Sequence, residues 1–354
     1  MATAFGELKR PGMRFTSSSC FAAIAGFILF TTAKLIAGVQ PVTIVKGPVS
    51  GHIHPSVCRT QEGTLVVVCK SGNSLIRSRS TDGGKTWEKP VPIPTTARRP
   101  DVIQKVKIFE VYPGTADTLP DGRVLVTWNY IANDKATDGY YERALLYTLS
   151  RDQGRTWSEQ GLIGPVKGKH LGAVRHNVLP WRQSRWLLPL RVGPPRVFNP
   201  KTGALEVFPL KSADGRQHEF QQIIRTAKGT LLAMGPVLLR STDKGGSWSA
   251  VKIFPGESPD RDNLEGRHLT ALADGRVLMS WGVGHDNKGL RYNFSADDGN
   301  TWSQKSTVLL PKTPVTARYY SARTIQLDDG YVGTVFMNRQ GVHFLKVNLD
   351  RVAK

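Results

Sequence analysis

Four stretches of this chain repeat one eight-residue phrase, Ser-x-Asp-x-Gly-x-(Thr/Ser)-Trp: STDGGKTW at 80–87, SRDQGRTW at 150–157, STDKGGSW at 241–248 and SADDGNTW at 295–302. The phrase has a local physical reading. Its Asp side chain accepts hydrogen bonds from the backbone of its own turn, its Gly takes a positive φ, and its Trp buries a large ring between neighbouring strands or blades. Repetition of such a turn builds architecture rather than chemistry.

Between these boxes runs a second repeat, an apolar strand, a glycine turn and another apolar strand. It reads VCRTQEGTLVVV around Gly63, ADTLPDGRVLVTW around Gly122, IIRTAKGTLLAM around Gly229, LTALADGRVLMSW around Gly275 and TIQLDDGYVGTVF around Gly330. A degenerate version, HNVLPWRQSRWLLPL, fills the gap between Gly122 and Gly229. These are β-hairpin signatures. Six hairpins recur at spacings of roughly 45 to 65 residues, a propeller-scale period, and no 3.6-residue periodicity competes with them. The expected fold is all-β: six four-stranded blades around an axis, with boxes in blades one, two, four and five. The strand PVTIVKGPV (41–49) is expected to meet GVHFLKVNLD (341–350) in one blade and close the ring.

Residues 1–38 read as an export signal, and residues 39–354 as the folded domain. Lys9, Arg10 and Arg14 precede the apolar run CFAAIAGFILFTT, and small residues follow in LIAGVQ. Lys34 interrupts the apolar stretch, which argues against a stable membrane span; an uncleaved anchor is the alternative. The protein is therefore expected to be exported, periplasmic or extracellular, and monomeric. Lys plus Arg outnumber Asp plus Glu by 48 to 28, a formal charge of +20 that favours anionic partners. No dense Lys/Arg arm or nucleic-acid motif is present, so an acidic glycan is the expected partner and nucleic acid is not. Cys58 and Cys69 flank the first hairpin turn and are expected nearly opposite on adjacent strands. A bridge in an oxidising compartment and two buried free thiols are both open. No spacing suggests a metal site, and no cofactor is expected.

Four boxes on a six-hairpin chain resemble the sialidase (neuraminidase) superfamily of BNR/Asp-box repeat proteins, over nearly all of residues 40–354. The resemblance implies a tyrosine nucleophile helped by a glutamate, an acid/base aspartate and three arginines that hold the substrate carboxylate. The motif YYSARTIQLDDG maps the nucleophile onto Tyr320, and LEGRHLTALADG maps the glutamate onto Glu265. A phenol with a pKa near 10 becomes a useful nucleophile when a neighbouring carboxylate takes its proton. The chain departs from the family elsewhere. Ile53 in GHIHPSV stands where the first family arginine is expected, LMSWGVGHDN lacks the second, and VVVCKSGNSLIRS lacks the acid/base aspartate.

The residue ten positions before each hairpin glycine should start an inner strand and line the channel mouth. Those positions are Ile53, flanked by His52 and His54, then Tyr112, Glu219, Glu265 and Tyr320, with Arg175 and His176 at the ambiguous third blade. His52 and His54, on one face of a strand, are candidates for the proton donor that the missing aspartate would supply. Arg267 shares a face with Glu265 and Arg318 with Tyr320, so these arginines, with Arg175, are candidate anion contacts. Tyr112, His176 and Glu219 complete the candidate substrate contacts. The expected activity is cleavage of terminal acidic sugars from glycans. A lyase acting on uronic-acid polysaccharides and a non-catalytic glycan-binding propeller are the alternatives, because fold does not determine function.

Overall fold

The computed structural model describes residues 40–47, 53–95, 108–134, 139–157, 159–164, 171–191, 193–210, 220–253, 267–282, 289–304, 306–310, 320–327 and 330–352. Residues 1–38 lie outside this set. Among the described residues no helix is long and apolar enough to cross a membrane.

The strands form six four-stranded antiparallel sheets. Blade one holds β2 (Ser56–Arg59), β3 (Leu65–Ser71), β4 (Ser74–Ser80) and β5 (Val91–Pro92). Blade two holds β6 (Ile108–Thr118), β7 (Val124–Asp134), β8 (Gly139–Ser150) and β9 (Glu159–Gly164). Blade three holds β10 (Leu179–Trp181), β11 (Arg185–Leu188), β12 (Arg196–Phe198) and β13 (Leu205–Val207). Blade four holds β14 (Gln222–Arg225), β15 (Leu231–Met234), β16 (Leu238–Ser241) and β17 (Ser249–Val251). Blade five holds β18 (Arg267–Ala271), β19 (Val277–Gly282), β20 (Leu290–Ser295) and β21 (Thr307–Leu310). Blade six holds β22 (Tyr320–Gln326), β23 (Tyr331–Asn338) and β24 (Gly341–Asn348), and its outer strand is β1 (Val42–Lys46).

The six predicted hairpins are the two inner strands of each blade, including the degenerate one at β10 and β11. Ring closure also follows the expectation: β1 pairs antiparallel with β24, Val42 opposite Phe344 and Lys46 opposite Gly341. One helical turn, Leu349–Val352, follows β24, and its Leu349 and Val352 are buried between blades five and six. The core is divided. The six largest apolar clusters lie one between each neighbouring pair of blades, for example Val66, Val68, Val126 and Trp128 between blades one and two. Each strand face thus buries against the next blade, which explains the near-continuous apolar runs.

Each box is the turn between the third and fourth strands of its blade. In the first, Ser80 Oγ accepts from the Gly84 N–H at 2.8 Å, and Asp82 accepts from the Thr86 N–H at 3.0 Å and the Thr86 hydroxyl at 2.6 Å. The other three boxes repeat these bonds. Desolvation in the turn opposes ionisation of Asp82, yet the bonds from Thr86, Ser80 and Lys85 win and hold its carboxyl down at about 2. The box also joins blades. A Cβ on Gly84 would lie 2.2 Å from the Phe344 ring of β24, and one on Gly299 2.5 Å from Leu232 of β15. Gly154 likewise faces Val66, and Gly245 faces Phe208, so each box glycine docks on the preceding blade. Trp87 adds an edge contact to Phe344, with ring centroids 5.2 Å apart. Blades three and six have no box, and their joints are filled by side chains instead: Tyr147 against Trp186 at 5.0 Å, and Tyr292 in the cluster with Phe336.

The expectation that Cys58 and Cys69 lie nearly opposite is corrected by the register. Cys58 lies opposite Val66, and Cys69 opposite Ile76. Residues 58 and 69 point to opposite faces of the blade, Cys58 towards blade two and Cys69 towards blade six. Both are buried free thiols, pushed up to about 12 by burial. The sequence places them correctly on adjacent strands, but the hairpin turn sets them three residues out of step.

Docking of the box predicts a difference between two glycines of similar backbone. Gly84 and Gly275 have φ of 88° and 89°, but only Gly84 faces a neighbour. Gly84→Ala should destabilise the protein by about 1–3 kcal/mol more than Gly275→Ala in denaturant unfolding, through collision with Phe344. Equal losses would mean that the box does not carry the inter-blade joint.

Candidate functional site

Inner strands of neighbouring blades touch around the axis: β2 meets β6 and β22, β18 meets β14 and β22, and β14 meets β10. Each runs from one mouth of the channel to its hairpin glycine at the other end. Residues just before these strands therefore gather at the first mouth, and mid-strand residues gather at the hub.

Three predicted residues from three blades meet at that mouth. Tyr112 Oη lies 3.2 Å from His54 Nε2, with the two ring centroids 5.2 Å apart. Arg175 Nη1 lies 3.0 Å from Nδ1 and 2.9 Å from Nε2 of the same imidazole. Its guanidinium carbon also stands 4.4 Å over the Tyr112 ring. Tyr112 and Arg175 are buried and His54 is half-buried. A guanidinium only donates, so an imidazole nitrogen of His54 accepts from it. The backbone is special as well. His54 has φ of 36°, a conformation that side chains other than glycine rarely adopt and that clusters at functional sites.

His54 also corrects an expectation. Residues 53–55 precede β2 and are not strand, so His54 does not stand on a strand face. Ile53 is buried between blades six and one, and blade one reaches the mouth through His54 instead. In the third blade the two candidates separate. Arg175 faces the mouth, and His176 turns into the hub, its ring 5.9 Å from that of His268. Arg267 opens β18, is buried, and is lowered to about 10 by desolvation, still charged at neutral pH. Tyr320 is the first residue of β22, paired with Met337. His52, Glu219, Glu265 and Arg318 lie outside the described residues.

The hub is the part that sequence reasoning missed. Ser56, Thr115, Gln222, His268 and Arg323 all stand seven residues before a hairpin glycine, one per blade, and His176 takes the corresponding place in blade three. All six are buried. Counting back seven positions rather than ten finds a polar residue every time, and that regularity was the available signal. The two layers are offset by bulges in two blades: pairing shifts between Pro113 and Ala116 in β6, and between Tyr320 and Arg323 in β22.

Electrostatically the hub is tense. Burial, then Arg323, pushes His176 and His268 well below the usual histidine value. Burial lowers Arg323 to about 10, against the pull of Asp117. Burial raises Asp117 to about 6, even though Arg323, the Val178 N–H and the Thr115 hydroxyl all favour its charge. The unfolded Asp117 carboxyl titrates near 3.9. Between that value and about 6 the unfolded chain has lost this proton and the folded one has kept it. Asp117 therefore costs stability as the pH rises through this window. Asp117→Asn should gain on wild type from about pH 4 to pH 6, by on the order of 2–3 kcal/mol above it. Denaturant midpoints at several pH values measure the difference, and a flat difference would mean that the carboxyl titrates normally.

Comparison with known proteins agrees with this architecture. Residues 31–163 match the model of the BNR repeat-like domain family. No curated protein matches the chain. A crystal structure of a protein of unknown function from Dyadobacter fermentans is similar with a TM-score of 0.62 and 19% identity, over 88% of this chain and 99% of that one. The intramolecular trans-sialidase from Ruminococcus gnavus, solved with oseltamivir carboxylate, gives 0.60 and 14%, over 89% of this chain and 98% of that one. The Hadza microbial sialidase Hz136 gives 0.59 and 15%, over 88% and 69%. At such identities the likeness is one of fold. Taken with the four boxes and the six blades, it shows a six-bladed β-propeller of the fold seen in these sialidases, with a BNR repeat-like domain matched over residues 31–163.

Proposed function

We propose that this propeller is an exported glycoside hydrolase that removes terminal acidic sugars from glycans. The observation that carries the reading is the meeting of Arg175, Tyr112 and His54 from three blades at one channel mouth. Such a cluster offers a guanidinium for a carboxylate, a phenol for a sugar hydroxyl and an imidazole for proton transfer. The solved sialidase and trans-sialidase of the same fold support the substrate class. The charge of +20 draws polyanionic glycans to the surface.

In this mechanism Tyr320 attacks the anomeric carbon as Glu265 takes its phenolic proton. The nitrogen-bound proton of His54 passes to the leaving glycosidic oxygen. Water then breaks the tyrosyl–sugar bond, the imidazole taking the water's proton while Glu265 returns its proton to the departing Tyr320 oxygen. Arg175 and Arg267, with Arg318, hold the sugar carboxylate in place of the clamp that Ile53 and the LMSWGVGHDN segment lack. Residues 1–38 act as the export signal.

A second reading rests on the 3.2 Å contact between Tyr112 and His54 with Arg175 beside both. In a uronic-acid lyase the guanidinium neutralises the carboxylate, the imidazole takes the adjacent carbon-bound proton, and the phenol protonates the leaving oxygen.

One experiment separates the two. Purified residues 39–354 are incubated with a fluorogenic sialoside and, separately, with uronic-acid polysaccharides followed by ultraviolet absorbance of unsaturated ends. The hydrolase reading expects fluorophore release, lost by about 10²-fold or more in Tyr320→Phe and in His54→Ala. It also expects a raised KM in Arg175→Gln. Ultraviolet-absorbing product without fluorophore release would overturn it for the lyase. Saturable glycan binding without turnover would leave a binding module.

A further inference from the structure

The strongest unexplained feature is a buried cation at the hub. Arg323 is 3% exposed, and among the described residues no carboxylate oxygen lies within 4.0 Å of its guanidinium. Its Nη1 donates to Ser56 Oγ, while its Nε has no partner. Nδ1 of His176, also 3% exposed, has none either. Buried polar atoms in native proteins are nearly always satisfied, and Arg323 feels the Asp117 carboxylate only from beyond ion-pair distance. Both groups line a cavity of about 270 Å³, together with Asp117, Gln222, His268 and Thr270. Val57, Leu179, Ile224 and Ile325 also line it. These residues lie from mid-strand towards the hairpin glycines, so the cavity belongs to the end of the channel remote from His54, Tyr112 and Arg175.

We propose that this cavity binds a small free oxyanion, inorganic or carboxylate, as a site separate from the candidate active site. Arginine's planar fork matches an oxyanion bidentately, and the edge that carries Nε is the one Ser56 leaves open. Imidazole N–H groups of His176 and His268 supply further donors. A metal ion is disfavoured, because Arg323 repels it and no three His, Cys, Asp or Glu side chains come together among the described residues. Among the described residues Asp117 is the one acidic group lining the cavity, and Arg225 adds a positive charge from β14. Cys58 of β2 interacts electrostatically with both Asp117 and Arg323, from the interface between blades one and two. An anion therefore binds best with Asp117 protonated, so affinity rises as the pH falls from 7 towards 5.

The test uses the folded chain with sulfate, phosphate, acetate and chloride at matched ionic strength, followed by calorimetry and thermal unfolding at pH 5.5 and pH 7. The expected result is saturable binding of at least one oxyanion, tighter at the lower pH, with a rise in Tm. Preference for sulfate or phosphate identifies an inorganic ligand, and preference for acetate a carboxylate. Arg323→Gln should weaken binding at least tenfold. Should that variant fail to fold, His268→Gln carries the test, with an expected loss of several-fold. Asp117→Asn should keep binding but flatten its pH dependence. Imidazole NMR signals of His176 and His268 should shift on titration. Equal, unsaturable effects of all four anions would overturn the proposal. So would binding that survives His268→Gln but is lost in Arg175→Gln, since the anion would then sit at the mouth.

Discussion

A propeller depends on how its blades are joined around the axis, where the inner strands have no fourth-strand neighbour to hydrogen-bond. Here the hub side chains solve that problem in a closed circuit. Ser56 of blade one accepts from the Ala116 N–H of blade two at 2.7 Å, and Thr115 of blade two donates to the His176 carbonyl of blade three at 3.2 Å. Asn177 reaches the Ile223 carbonyl of blade four at 2.8 Å, and Gln222 pairs with both backbone groups of Leu269 in blade five at 2.9 and 2.6 Å. Thr270 bonds the Thr324 carbonyl of blade six at 2.8 Å, and Arg323 returns to Ser56. Every blade is stitched to the next by a polar side chain, all of them buried except the half-buried Asn177. In so dry a place each bond is strong and each missing partner expensive.

The outer rim is joined by a different device. Box turns hold themselves rigid through Ser and Asp bonds, and their glycines lie flat on the preceding blade. Where a box is missing, large aromatic side chains take over the joint. Closure by β1 and β24 then makes blade six dependent on both ends of the domain. Inner polar stitching and outer apolar docking act on the same interfaces, so local failure at either level is felt by the neighbouring blade.

With the frame so determined, the channel splits into two environments. At the mouth, an imidazole, a phenol and a guanidinium from separate blades converge beside a strained backbone, an arrangement equipped for proton transfer and anion contact. At the hub, charge and neutral histidines share a confined cavity in which each ionisation is set by its neighbours. Arg175 and His176, adjacent in sequence, end up in different environments because successive side chains of an extended chain point opposite ways.

The sequence by itself determined the architecture. Four boxes, six glycine-centred hairpins and two unpaired terminal strands sufficed for the blade count, the box positions and the closure, because each is a local pattern with a local physical cause. It also named Tyr112, His54 and Arg175, through polar residues heading otherwise apolar strands. Only the tertiary structure decided what those residues do together. The irregular path at His54, the bulges in β6 and β22, and the register that parts Cys58 from Cys69 all depend on contacts between segments far apart in the chain. The hub escaped notice for the same reason. His268 and Arg323 look like ordinary strand residues until six blades close around one axis and bury them near each other.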